Sequence, residues 1–320
     1  MALYTRTAGQ IITAAYEDIG VLSDGQSPST NQYTRGLTRL NFISKQFTGT
    51  ADGAPGQKIY SRKRVAVFLS NGKHQYQIGL NQDRCTNIYG RTTLDAAEAA
   101  SQTVLSVTAT SDTTTTPGTT FQMQQGDVIG IEQNDDTVFW STVSSFATAD
   151  TVTITTGIDS AAASGNYVWW FRNYAEKFAL LESAVLRDEN LNDVPISVYT
   201  DAKQYELGVA SKYADGTPTA LLYEPFLSYS RITLDSQPTD LTQILILTVQ
   251  NPGAHYDLQT DQMICSEEWF AAFEWEVAFR LAPAYRVKWT QTMQQNRDSA
   301  LALARNANPE NSVLFYEPNA

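Results

Sequence analysis

The sequence predicts an α+β fold: a four-helix bundle built from both chain ends, a β-rich domain inserted into it, and a small β-barrel or sandwich nested inside that insertion. Three observations predict this. Apolar residues recur at helical spacing near both ends, the long middle reads as short β-prone runs between turns, and residues 92–171 are crowded with threonine yet contain no Lys or Arg.

Taken in order, Ala8, Ile11, Ile12, Ala15 and Ile19 fall on one helical face, and Gly20 stands where a helix would stop. Ser23–Ser29, with Gly25 and Pro28, reads as a linker. A second helix should begin at Ser29 or Thr30, bury Tyr33, Leu37, Leu40, Ile43 and Phe47, and end before Gly49. Residues 1–57 are therefore a helical hairpin.

The inserted domain is expected over 58–91 and 172–264. Arg64–Leu69 and His74–Leu80 flank Ser70-Asn71-Gly72-Lys73, and Asn-Gly is a strong hairpin signal. Residues 92–171 interrupt this domain. Their acids are Asp95, Glu98, Asp112, Asp127, Glu132, Asp135, Asp136, Asp150 and Asp159, a formal charge of −9 with no cation to offset it. Thr103–Thr108, Asp127–Ile131, Val138–Val143, Thr151–Thr155 and Tyr167–Phe171 read as strands of a compact nested module. Beyond it, Phe178–Arg187 fits strand or helix equally. Pro195–Thr200, Thr219–Tyr223, Tyr229–Leu234 and Gln243–Val249 read as strands, and Ala202–Lys212 as a short helix. The nearly continuous aliphatic run Leu241–Val249 should be buried on both faces.

Helical grammar returns over 265–305. Ser266 is a candidate N-cap, with Glu267 and Glu268 in the first turn, where negative charge suits the helix dipole. Trp269, Phe270, Phe273, Val277 and Leu281 form an apolar stripe that Pro283 ends. A last helix is expected from Tyr285 to Arg305, with Trp289, Met293, Ala300 and Leu301 inward. Residues 306–320 should be extended, and they carry the apolar patch Val313, Leu314, Phe315 and Tyr316.

Composition narrows function. With 320 residues, 42% of them hydrophobic, the chain can bury two cores. Acids outnumber bases 34 to 22, for a net charge of −12, so a groove that grips nucleic acid is disfavoured. Arg62-Lys63-Arg64 is the one cationic run, too short for such a footprint and better read as a solvated strand edge. No apolar run approaches a membrane span, and the start lacks a signal-peptide core, so synthesis in the cytoplasm is expected. Cys85 and Cys265 read as packed thiols.

No catalytic, cofactor-binding or metal site is expected. His74 and His255 lack the spacing of metal ligands. Gly126-Asp127-Val128-Ile129-Gly130 lacks the lysine and helix of a phosphate loop and reads as a strand entry. The neighbouring acids Asp135/Asp136, Glu267/Glu268 and Glu274/Glu276 do not display two carboxylates facing across a cleft, as a glycosidase needs. Trp275 lies off the buried stripe of its helix and is the better candidate for a subunit contact.

Two segments resemble the tail accessory factor, or packaged-DNA stabilisation protein, of short-tailed bacteriophages. They are Ile11-Ile12-Thr13-Ala14-Ala15-Tyr16-Glu17-Asp18-Ile19-Gly20-Val21-Leu22 and, more distinctively, Trp275-Glu276-Val277-Ala278-Phe279-Arg280-Leu281-Ala282-Pro283-Ala284-Tyr285. The resemblance covers both chain ends. It implies a head-to-tail adaptor bundle, a dodecameric ring beneath the portal protein, and an extended C-terminal tail that reaches the portal. Val313, Leu314, Phe315 and Tyr316 then become portal-docking residues, and Trp275, Arg280 and Tyr285 subunit-interface residues. A tail nozzle or hub, or tail fibres, would lie on the far side. Double-stranded DNA would pass through without sequence-specific binding, at the virion's head–tail junction and with no membrane contact. The insertion 58–264 departs from compact members of the family. Competing readings are a receptor- or glycan-binding virion protein, predicting a trimer, and a peptidoglycan hydrolase, predicting an essential acid.

Overall fold

A computed structural model describes residues 5–48, 62–79, 83–115, 120–148, 150–209, 214–250 and 254–306. The protein is mixed α+β and divides into two compact units, Met1–Ser61 with Pro252–Ala320, and Arg62–Asn251. Among the described residues the α-helices are α1 (Ala8–Asp18), α2 (Thr30–Thr48), α3 (Ala202–Gly208), α4 (Phe270–Leu281) and α5 (Gln291–Asn306). All but α3 belong to the first unit.

In that unit, helices from both chain ends share one apolar core. Ile11, Ile12, Ala15 and Tyr16 of α1 meet Leu40, Ile43 and Phe47 of α2 and Phe273, Val277 and Leu281 of α4. The N-terminus of α1 is fixed by a capping box: Thr7 accepts from the Gln10 N–H at 3.2 Å, and the Gln10 side chain accepts from the Thr7 N–H at 2.9 Å. Its end is set by Gly20 at φ +67°, where the Val21 N–H reaches back to the Tyr16 carbonyl. Ser29 and Gln32 form the same reciprocal arrangement at the start of α2. Gly36 lets α1 and α2 approach closely, since a Cβ there would overlap Cγ2 of Ile12.

Two expectations for this unit are corrected. The domain edge at 264 lies too late. Tyr256 and Met263 sit in the helical core, and Asn41 clamps the Tyr256 backbone through two hydrogen bonds of 2.9 and 2.8 Å. The last helix does not start at Tyr285. Pro283 instead opens a 3-10 turn, Ala282–Tyr285, which Arg286 closes in the left-handed region at φ 59°, so α5 begins six residues later at Gln291. Trp289 therefore precedes the helix. Of the expected inward residues only Ala300 is fully buried, together with Ala304; Met293 and Leu301 are half-buried.

The second unit contains β1 (Arg62–Phe68), β2 (Gln75–Ile78) and β3 (Cys85–Thr86) before the nested module. The module supplies β4 (Gly90–Thr93), β5 (Val104–Ser106), β6 (Ser111–Asp112), β7 (Phe121–Gln122), β8 (Val128–Glu132), β9 (Val138–Thr148), β10 (Thr151–Ile154) and β11 (Tyr167–Phe171). After it come β12 (Leu180–Arg187), β13 (Asp193–Tyr199), β14 (Ala220–Pro225), β15 (Ser230–Leu234) and β16 (Ile244–Gln250).

The outer sheet has eight strands in the order β2-β15-β14-β13-β12-β16-β1-β3. Phe178–Arg187, which fitted strand or helix, is a strand over most of its length. β16 lies between β1 and β12 and is buried on both faces from Ile244 to Leu247, as its aliphatic run demands. The expected β1–β2 hairpin does not form. The turn is present, with the Lys73 N–H on the Ser70 carbonyl, but β1 pairs with β16 and β3 while β2 pairs with β15. Seven residues from Phe68 to Gln75 reach at most about 25 Å. Strands near opposite ends of the order are thus held close, and the sheet curls in a barrel-like way around one core that includes Val65, Tyr76, Leu221, Ile232 and Leu247.

The nested module forms a six-stranded sheet in the order β4-β11-β8-β9-β10-β5, with β6 and β7 as a separate pair. All five expected strands are present, whereas β4, β6 and β7 were not foreseen. Alternation along β11 sends Val168 and Trp170 into the module's core, and Trp169 and Phe171 into a second cluster with Phe68 and Ile244 of the outer sheet.

Candidate interaction sites

The charged contacts of the helical unit begin with α4. Its apolar stripe leaves Glu276, three residues after Phe273, on the buried side, where it is only 5% exposed. A carboxylate there needs a partner. Arg297 of α5 donates through Nε to Oε2 at 2.6 Å, and Arg280 lies one turn along α4 with Nε 3.7 Å from Oε1. The Arg297 guanidinium also covers the Phe279 ring, 4.1 Å from its centroid. α5, which buries only alanines fully, adds one ion pair and one cation–π contact to its packing on α4.

A second cluster joins α1 to the 3-10 turn. Tyr16 is fully buried, donates its hydroxyl to the Gln32 carbonyl at 3.1 Å and meets the Tyr285 hydroxyl at 3.2 Å, with the two rings edge to face. Burial and the Tyr285 hydrogen bond push the Tyr16 phenol well above its ordinary range. Arg35 of α2 lies over the Tyr285 ring. A third cluster holds the carboxyls of Asp18 on α1 and Glu274 on α4, the latter paired with Arg6 at 2.7 Å.

The three interface residues predicted from sequence all have partners within the chain. Half-buried Trp275 packs edge to face on Trp289 at 6.4 Å, Arg280 serves Glu276 and Gln46, and Tyr285 serves Tyr16. Val313, Leu314, Phe315 and Tyr316 lie outside the described residues. Sequence reasoning passed over Asp18, Tyr16 and Glu276. Only Glu276 carried a visible signal, its i+3 spacing from Phe273 on a buried stripe.

The acids of the nested module are not one uniform negative wall. Asp127, 1% exposed, pairs with Arg172 at 2.9 Å and caps the Gln124 N–H. Glu98 accepts from the Ser106 N–H, and Glu132 from the Tyr167 N–H. Burial opposes the Asp112 charge, yet hydrogen bonds from Thr114, Thr115 and the Arg91 N–H hold that carboxyl below its ordinary value. Asp95, Asp135, Asp136, Asp150 and Asp159 are exposed. Roughly half of the acidity therefore organises turns and strand ends, and the rest faces solvent.

Both cysteines are free thiols. Burial pushes Cys85 up to about 11 and Cys265 up to about 12. His255 is exposed beside Asp257. Among the described residues no three His, Cys, Asp or Glu side chains converge as a metal-ligand set. No helix among them is long and apolar enough to cross a membrane. An open pocket of about 540 Å³ lies in the helical unit against Gln10, Thr13, Glu17, Tyr33 and Gln259.

No family model and no curated protein matches the chain. Two solved structures show a faint likeness. One is the VP16-VP17 complex of the two major capsid proteins of bacteriophage P23-77, with 8% identity, 63% of this chain and 81% of that chain covered, and a TM-score of 0.15. The other is VP17, a capsid protein of the same phage, with 8% identity, 63% and 78% covered, and a TM-score of 0.13. Scores this low do not reach a shared fold.

Proposed function

We propose that the chain is a non-enzymatic virion protein of a short-tailed phage, a head-to-tail adaptor that assembles as a ring, in the resembled family a dodecamer, beneath the portal. It would connect the portal to the tail nozzle or hub and help retain packaged DNA. The observation that carries this reading is the apolar core shared by α1, α2 and α4, from opposite chain ends, to which α5 adds Ala304. The segment Arg280–Tyr285, which bears the more distinctive resemblance, forms the end of α4 and the turn toward α5. In this reading the four helices are an adaptor bundle, and Val313, Leu314, Phe315 and Tyr316 dock on the portal. Trp275, half-buried, makes the neighbour contact together with Arg280 and Tyr285. An acidic wall around the channel would repel phosphate and leave the duplex free to slide.

The test is the mass of the purified protein with and without portal. A ring that forms only on portal supports the adaptor. A stable trimer indifferent to portal rejects it in favour of a receptor- or glycan-binding protein.

A further inference from the structure

Charge is sorted along the helical unit, although the whole chain carries −12. Residues 25–51 and 280–297 together hold seven Lys or Arg and no acid. Residues 252–279 are the reverse, with six acids and no Lys or Arg. The fold joins the two basic stretches. The Arg35 guanidinium on α2 lies 5.5 Å from the centroid of the Tyr285 ring, and Arg280 donates to the Gln46 side chain. Arg286, directly after Tyr285, is exposed and held in the left-handed region, a conformation that strains an arginine. Arg39, Arg286 and Lys288 have no carboxylate partner among the described residues. On the outward face of α2, Arg35, Arg39 and Phe42 recur at helical spacing, and Phe42 is 55% exposed.

The acidic stretch builds a second surface of opposite sign. The Tyr256 hydroxyl closes its loop by accepting from the Ile264 N–H at 3.2 Å. Asp261 accepts from the Asp257 and Leu258 N–H groups, each at 2.8 Å. Asp257 and Glu268 are exposed, and so are the aliphatic side chains of Leu258 and Ile264, at 62% and 63%. Asn41 holds this loop from the buried side of α2, and Phe42 stays exposed, so the loop does not cover the basic face within one chain.

Each surface sets exposed apolar carbon among charges of one sign, the composition of an interface with a charged rim. We propose that the two surfaces are halves of one head-to-tail contact, in which the basic Phe42 face of one copy docks on the acidic Leu258–Ile264 loop of the next. A second copy fits because it offers opposite charge and apolar side chains together, whereas a phosphate backbone would leave Phe42 unmatched. Two different patches on one subunit make the contact heterologous, the kind that closes into rings. It rests on the ring reading above and names the contact that would build that ring. The basic face adjoins Arg280 and Tyr285, which that reading already places at the neighbour contact.

The experiment is disulfide crosslinking between two full-length variants, Phe42→Cys and Leu258→Cys, mixed with and without portal, with the mass of the assembly read in parallel. The native thiols, both raised by burial, leave the introduced cysteines as the reactive pair. The mixed product should exceed that of Phe42→Cys with Leu227→Cys, an exposed site on the β-rich unit. Adding Arg39→Glu to the Phe42→Cys chain should lower the product about tenfold, as should about 1 M salt, which shortens the Debye length to about 3 Å. Product no greater than the Leu227→Cys control, or indifferent to Arg39→Glu, would overturn the contact. Binding of duplex DNA that Arg39→Glu abolishes, with no crosslink, would also overturn it and assign the basic face to phosphate. A ring on portal that lacks the crosslink would reject this contact and keep the adaptor. The crosslink in a trimer indifferent to portal would keep the contact and reject the adaptor.

Discussion

Arg297 of α5 places Nε 2.6 Å from Oε2 of Glu276 on α4, and Glu276 is only 5% exposed. Removing one member of a buried ion pair leaves the other charged and desolvated, at a cost of about 3–5 kcal/mol. Arg297→Ala should fall at the low end, because Arg280 stays near Glu276. It should release α5 first, seen as faster exchange across Gln291–Asn306 while α1 and α2 stay protected. Glu276→Leu, which removes the buried charge altogether, should be the milder change.

Gly36 and Ile12 offer a test of the α1–α2 approach. Gly36→Ala forces a methyl into Ile12 Cγ2 and should cost about 1–3 kcal/mol by overpacking, despite alanine's better helix propensity. Combining it with Ile12→Ala, which vacates that volume, should give a double variant more stable than the sum of the single losses. Denaturant titration of the four proteins measures the coupling.

Acid should loosen the β-rich unit. Asp112 is held below 3.8 by its hydrogen bonds, against burial, and Asp193 is held low chiefly by Arg187. Stability supplied by such groups is present above their unfolded value and lost as pH falls from there through their lowered ones. Fluorescence of Trp140, Trp169 and Trp170 should therefore report loosening below about pH 4. Asp112→Asn should be less stable at neutrality and show a smaller acid-induced loss.

The thiols should be slow to react. With Cys85 near 11 and Cys265 near 12, little thiolate exists at neutral pH, so a disulfide-exchange reagent should label neither rapidly until the chain is denatured. Fast labelling of the native protein would contradict their packing.

The portal contact can be separated from folding by ending the chain at Asn306. The adaptor reading expects this truncation to keep the wild-type melting temperature and lose capture by portal. Normal capture would remove Val313–Tyr316 from the docking role.

What the sequence disclosed tracks how local each signal is. The helices announce themselves through 3.6-residue stripes, and β16 through an aliphatic run that suits only a central strand. The β1–β2 hairpin was misread because Asn71-Gly72 specifies a turn and not the partner of each strand. Strand pairing is decided by the long-range match of β1 to β16 over seven residues. The start of α5 was misplaced because Pro283 can open a 3-10 turn as readily as it ends a helix. At the charged contacts, Glu276 was legible from its spacing. Asp18 was not, since its partner lies 256 positions away and only the folded core brings them together.

The way the insertions are attached has a consequence for how such a chain can be rebuilt. Arg62 lies beside Gln250, and farther in the Leu94 N–H bonds to the Asn166 carbonyl at 2.9 Å. At each level the chain departs and returns through adjacent strands, about 5 Å apart. Replacing residues 95–165 would keep the β4–β11 pairing on the scaffold but remove β8, the other partner of β11, and Trp140, which packs on Phe68 and Phe171. A short hairpin joining Leu94 to Asn166 would close the gap, and a foreign domain with neighbouring termini could be grafted there without re-registering the sheet beneath.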